Sequence, residues 1–284
     1  MHPANRASRR GGKPQTVAAV LMAFISVTSQ MIALAATAGA VPSSSRTTPT
    51  AVMASALLRG FMPSPAPAAG YKLIDPPPYT DGLTNYSSMI SLFKSNNCDF
   101  FTNVPLPPDF NVMWKQAAQQ GYKPKLATVA KVLLFPSDVK ALGSLVNNVA
   151  TDAWWTPNMP WKSSLTGETC QQIASEYESA TNQQWVQSLS NYSLFEVAYA
   201  ALTAAGDPHD KAAVADAMFK VNIEGLAGQL DWTSTKNPAP GVVDTPCVGV
   251  QWKPSSKWGY SMEVVDNTLM PNVPTTGNLE PTNK

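Results

Sequence analysis

Two histidines, His2 and His209, are all that this chain of 284 residues offers for imidazole chemistry. His209 falls in Gly206-Asp207-Pro208-His209-Asp210, which reads as a loop leading into a helix. A histidine-dependent triad or a histidine-rich metal site is thereby set aside. The glycine-rich phosphate loops and the G-x-S-x-G nucleophile turn are absent from the sequence. The carboxylate pairs Asp207/Asp210 and Glu176/Glu178 read as solvated helix ends or faces. Cys98, Cys170 and Cys247 are too far apart for a zinc site, and their odd number leaves a thiol over. They read as small buried hydrophobes. The chain is expected to be no enzyme and to need no metal or cofactor.

Chemistry of another kind converges at two loops and a tryptophan pair. Asn103, Val104, Pro105 and Leu106 lie at the carboxyl end of an apolar run and lead through Pro107 to Pro108, which suits a first helical position. Free N–H groups at such a helix start can receive an anionic group such as a carboxylate. Thr128, Ala130 and Lys131 follow the next apolar run and add a hydroxyl and a cation. Trp154 and Trp155 are adjacent in a third, so their rings must point to opposite faces of a strand. One ring can be core while the other faces a cleft as an aromatic wall. Core and hinge packing for both is the competing reading.

The elements that must hold these residues alternate. Residues 71–74, 98–102 and 126–129 read as buried strands, and 84–94 and 108–120 as helices with one apolar face. A helix over 137–148, a strand over 149–156 and a helix opened by Thr166 with Glu168 in its first turn follow. Ser193 and Glu196 suggest a capping box for a helix stopped by Gly206, and Asp210 caps another. Strands over 229–232, 248–252 and 260–265 close the chain. The fold class is α/β, a parallel sheet flanked by helices. Such sheets take ligands outside the carboxyl ends of their strands, which puts both loops on one rim.

Residues 1–70 differ in kind. They hold Arg6, Arg9, Arg10, Lys13, Arg46 and Arg59 and no acid, a charge of +6. The remainder carries 14 bases against 19 acids, or −5. Nothing in this balance calls for a nucleic-acid partner. An apolar run from Val17 followed by Ala38-Gly39-Ala40 reads as a signal peptide, which implies a periplasmic or other extracytoplasmic location. A membrane anchor and a mis-started reading frame of GC-rich DNA are the other readings of this leader. Residues 41–69 lack periodicity and contain Pro63, Pro65 and Pro67, so they are expected to be a disordered linker.

From about residue 70 to 281 the chain resembles the periplasmic solute-binding proteins of branched-chain amino-acid ABC transporters, the leucine/isoleucine/valine-binding class with the type I periplasmic-binding-protein fold. Its carriers are Gly70-Tyr71-Lys72, Asp81-Gly82-Leu83-Thr84-Asn85-Tyr86-Ser87, Asn97-Cys98-Asp99-Phe100, Pro108-Asp109-Phe110 and Gln116-Ala117 with Gly121. Met159-Pro160, Gly228-Gln229-Leu230-Asp231-Trp232 and Val250-Gln251-Trp252 extend the series. The resemblance implies two α/β lobes that close on a small solute and deliver it to a membrane permease. It implies that 1–69 is leader and linker and that 70–157 is most of the second lobe, without its first strand and helix. Residues 158–226 are then the crossover and first-lobe helices, and 227–284 the return strands and polar tail. The first-lobe sheet is missing, so binding competence is expected to be reduced. By the same resemblance, the acidic residue that holds a ligand ammonium in leucine-binding members is replaced by Ala130. A neutral, aromatic or carboxylated solute is the better match to Lys131 and the tryptophans. A ligand-sensing module of a receptor or regulator is the alternative on this fold.

Overall fold

The computed structural model describes residues 52–54, as backbone strand, and 72–282. The signal-like segment lies outside the described residues. The main sheet has seven strands in the order β2-β1-β3-β4-β5-β8-β9. These are β1 (Val52–Ala54), β2 (Lys72–Ile74), β3 (Phe100–Asn103), β4 (Leu126–Val129), β5 (Ala150–Ala153), β8 (Val248–Ser255) and β9 (Gly259–Asp266). Strands β1 to β5 run parallel, while β8 and β9 are added antiparallel at one side. Helices α1 (Ser87–Ser95), α2 (Pro107–Gln119) and α3 (Pro136–Leu142) connect the parallel strands. Strand–helix–strand units of this kind bury helix faces on the sheet.

The linker expected over 41–69 therefore contains a strand. β1 pairs with β2 through Val52↔Lys72 to Ala54↔Ile74, and with β3 through Met53↔Phe100 and Ala54↔Phe101. It occupies the first-strand place that the resemblance left vacant. A three-residue strand carries too little periodicity to be seen in an Ala/Ser/Pro-rich segment.

Other elements shift for identifiable reasons. The helix expected from residue 84 begins at Ser87 because Gln116 takes the preceding backbone groups. Its Oε1 accepts the Tyr86 N–H at 2.7 Å and its Nε2 donates to Thr84 O at 2.8 Å. β3 starts at Phe100 because Asn97, at φ 52°, and the Cys98 N–H close the end of α1. The helix over 137–148 stops at Leu142, where Gly143 takes φ 58° and a 3-10 turn replaces it. Gly167, at φ 78°, moves the next helix start to Thr169, whose side chain and that of Gln172 form a capping box for α4 (Cys170–Thr181).

Ser193 and Glu196 do not form the expected box: α5 (Tyr192–Ala205) begins one residue before Ser193, and Glu196 turns inward. Its buried carboxylate accepts from Ser193 Oγ (2.7 Å), the Leu226 N–H (3.0 Å), and the Ser164 N–H and Oγ (2.6 and 3.1 Å). Asp210 caps α6 (Lys211–Met218) as expected, accepting from the Ala212 and Ala213 N–H groups. The strand expected at 229–232 lies outside the main sheet. It is β7 (Gly228–Asp231), paired only with β6 (Asn222–Gly225), which the sequence did not suggest.

An aromatic core built from Phe93, Phe101, Phe110, Trp114 and Tyr122 fills the space between α1, α2 and the sheet, with ring centroids 5.4 to 6.5 Å apart. Among the described residues no helix is long and apolar enough to cross a membrane.

Candidate functional site

β3, β4 and β5 end side by side. Asn103 pairs with Val129, and the Ala130 N–H donates to Asn103 O at 3.0 Å, so the ladder continues one residue past β4. The loops carrying Asn103–Leu106 and Thr128–Lys131 thus share the carboxyl edge of the sheet. Asn103, Pro105, Thr128 and Ala130 are buried there, Val104 and Leu106 are half-buried, and Lys131 is exposed.

The 131–134 segment is held unusually firmly. Lys131 and Leu133 both adopt positive φ, 68° and 58°, a conformation that non-glycine residues reach at a cost of about 1 kcal/mol or more. Three successive carbonyls each accept one side-chain donor. Thr151 Oγ1 reaches Val132 O at 2.9 Å, the Trp252 indole N–H reaches Leu133 O at 2.7 Å, and Gln187 Nε2 reaches Leu134 O at 3.2 Å. The Asp152 carboxylate accepts the Lys131 backbone N–H. Burial pushes the Asp152 carboxyl up to about 6, against the lowering effect of its hydrogen bonds to its own backbone, to Lys131 and to Thr151. A strained loop pinned by four side chains is a preorganised surface.

Gln187 also fixes the third member of the rim. Its Oε1 accepts the Trp154 N–H at 3.0 Å, which ends β5 at Ala153, and the Trp154 indole donates to Ser190 Oγ at 3.1 Å. The strand ends at Ala153, so the two tryptophans lie just beyond it, and they differ in burial. Trp154 is half-buried beside the rim, whereas Trp155 is 0% exposed, donates to Leu226 O at 3.1 Å and meets Trp185 edge-on at 5.9 Å. Trp155 is core and Trp154 is the aromatic side chain left at the rim.

The expectation of an anion-receiving helix start after Leu106 is corrected. α2 begins at Pro107, so its first two positions are Pro107 and Pro108, neither of which has an N–H. The third is Asp109, a buried carboxylate whose Oδ1 accepts the Gly82 N–H at 2.9 Å. Negative charge already fills this helix end, and burial with the Asp109 charge also pushes the nearby Tyr86 phenol upward. The Pro-Pro-Asp sequence contained that signal. Asp152, Thr151, Gln187 and Trp252 were not singled out, because their role depends on strands and turns brought together from 131 to 252.

The chain is an α/β sheet flanked by helices, an architecture whose open sheets take ligands outside the carboxyl ends of their strands. The family profile described as periplasmic binding protein matches residues 64–256, and the chain belongs to that family. Among solved structures it is similar to the leucine-binding protein LivK of Thermotoga maritima, with 15% identity, a TM-score of 0.59, and coverage of 76% of this chain and 60% of that protein. An extracellular ligand-binding receptor from Rhodopseudomonas palustris gives 13% identity, a TM-score of 0.60, and 84% and 68% coverage. A fatty acid ABC transporter substrate-binding protein from Thermomonospora curvata gives 14%, 0.53, and 79% and 60%. Identities this low establish the fold alone, and the chain spans about three-fifths of LivK. No curated protein matches the chain.

Proposed function

We propose that this chain is the extracytoplasmic solute-binding component of an ABC-type uptake transporter, presenting one wall of a binding site and delivering its solute to a membrane permease. The observation that carries this reading is the rim itself. The loops with Asn103, Val104, Pro105 and Leu106 and with Thr128, Ala130 and Lys131 follow neighbouring parallel strands, and Trp154 follows the next. The 131–134 segment between them is pinned through Thr151, Asp152, Gln187 and Trp252, which supports a site there. Lys131 supplies a cation and Trp154 an apolar face, while Ala130 offers no carboxylate for an ammonium. The solute class is therefore a small carboxylated molecule with an apolar or aromatic body, in preference to a zwitterionic amino acid. A working Kd of about 1 mM, equivalent to about −4.1 kcal/mol, sets the concentration for a test.

The test is thermal unfolding of the full chain with phenylacetate, leucine or octanoate at tenfold that concentration. A ligand at ten times its Kd stabilises by about 1.4 kcal/mol, a readable shift in melting temperature. Phenylacetate and octanoate are expected to shift it more than leucine, and Lys131→Ala to remove the difference. No shift with any of the three would refute the reading.

A further inference from the structure

Three buried oxygens lie together beside the first rim loop without partners. Tyr86 is 0% exposed and Asp109 is 2% exposed, yet the Tyr86 phenol oxygen and Asp109 Oδ2 make no hydrogen bond among the described residues. The phenol oxygen of the half-buried Tyr79 is a third such atom. The two rings meet edge-on, with centroids 5.3 Å apart and planes at 82°. The Tyr86 phenol lies beside the Asp109 carboxyl, and that of Tyr79 beside the Asn103 amide, whose Nδ2 reaches Met113 Sδ at 3.9 Å. Buried polar atoms in native proteins are satisfied by protein, by water or by an ion.

Charge decides among these. Asp109 Oδ1 accepts the Gly82 N–H at 2.9 Å, which leaves Oδ2. The start of α2 does little to neutralise the carboxylate, because Pro107 and Pro108 have no N–H and the Phe110 N–H is taken by Leu106 O at 3.0 Å. Residues 73–93 and 95–114 contain Asp75, Asp81, Asp99 and Asp109 and no base. Asp99 pairs with Lys125 at 3.2 Å, whereas Asp109 forms no ion pair among the described residues. Burial first, then the charges of Asp109 and Asp81, push the Tyr86 phenol up, and burial raises that of Tyr79 as well. Both phenols therefore keep their protons and present neutral oxygens. A water would leave the charge uncompensated, and buried charges are paired or coordinate metals. One carboxylate with two neutral oxygens matches a single positive charge. Calcium draws on more carboxylates, and among the described residues no three acidic, histidine or cysteine side chains gather for a metal.

We propose that Tyr79, Tyr86 and Asp109 form a binding site for one monovalent alkali cation, held by Asp109 Oδ2 and the two phenol oxygens beside Asn103. The ion would tie the 75–86 loop to the start of α2 and set a positive charge next to the first residue of the rim. The site is independent of whichever solute the rim takes.

The test is thermal unfolding of the full chain, without solute, in sodium, potassium or choline chloride at equal ionic strength, choline being too large for the site. Sodium or potassium is expected to raise the melting temperature above that in choline, by an amount that grows with the logarithm of its concentration. The stronger of the two is the ion the site selects. Tyr86→Phe keeps the ring and removes one oxygen, and should raise the half-saturating concentration about tenfold. Asp109→Asn should abolish the effect, and Tyr86→Phe decides alone if that variant does not fold. Equal melting in all three salts would overturn the proposal, because Tyr86 would then satisfy the carboxylate by itself. An effect undiminished in Tyr86→Phe would overturn it as well, as a general salt effect or an ion bound elsewhere.

Discussion

Asp152→Asn should flatten the pH dependence of stability, and its size can be worked from the structure. The Asp152 carboxyl titrates near 6 in the folded chain against an ordinary value of 3.8, chiefly because burial disfavours its charged form. The folded state therefore holds this proton through a window, from about pH 4 to 6, in which the unfolded chain has released it. Stability must then fall as pH rises through that window. The difference of about two units is worth about 3 kcal/mol at 1.4 kcal/mol per unit, fully lost above pH 7. Asparagine keeps an acceptor for the Lys131 N–H and removes the titration. Urea unfolding of both proteins from pH 4 to 7.5 gives their difference, from which every other group cancels. Wild type is expected to lose about 2.4 kcal/mol of that relative to the variant between pH 4 and 7.5. Parallel curves would refute the reasoning, because they would mean that the carboxylate is adequately solvated where it sits.

Glu196→Ala leaves the buried Leu226 N–H and the part-buried Ser164 N–H without their acceptor, and should destabilise the chain by about 2 kcal/mol or more in urea unfolding. Gln187→Leu removes the donor to Leu134 O and the acceptor of the Trp154 N–H. It should cost about 2 kcal/mol and speed hydrogen exchange at Trp154 more than at Phe101. The thiols of Cys98 and Cys170 are both pushed up to about 11 by burial, and that of Cys247 is raised as well. All three should react with a disulfide reagent at neutral pH only as fast as the chain opens, with urea releasing the full reactivity.

The parallel part of the fold was legible because its buried strands are continuous apolar runs and its helices carry one apolar face. Leu126–Val129, buried along its whole length, appears as read. Boundaries failed where a distant side chain competes for the backbone, as Gln116 does at Tyr86, or where a left-handed residue such as Asn97 or Gly167 resets the chain. The small sheet was invisible for a different reason. Strand β6, Asn-Ile-Glu-Gly, shows neither alternation nor an apolar run, and is fixed by the hairpin it makes with β7. At the site, the loops were found from their place after strands, but the side chains that pin them were not. Thr151, Gln187 and Trp252 acquire their role only when three separate segments converge on three neighbouring carbonyls.

The position of β1 has a practical consequence. Among the described residues, β2 is bonded to the sheet only through β1, which stands between it and β3. A fragment cut at residue 71, the natural choice when trimming a basic leader, would detach β2 and bare the N–H and C=O groups of Phe100 and Phe101. That edge is an invitation to strand addition by any extended chain, including another fragment of the same kind. Fragments that retain residue 52 onward should stay dispersed, and shorter ones should aggregate through a sheet whose seam has been opened.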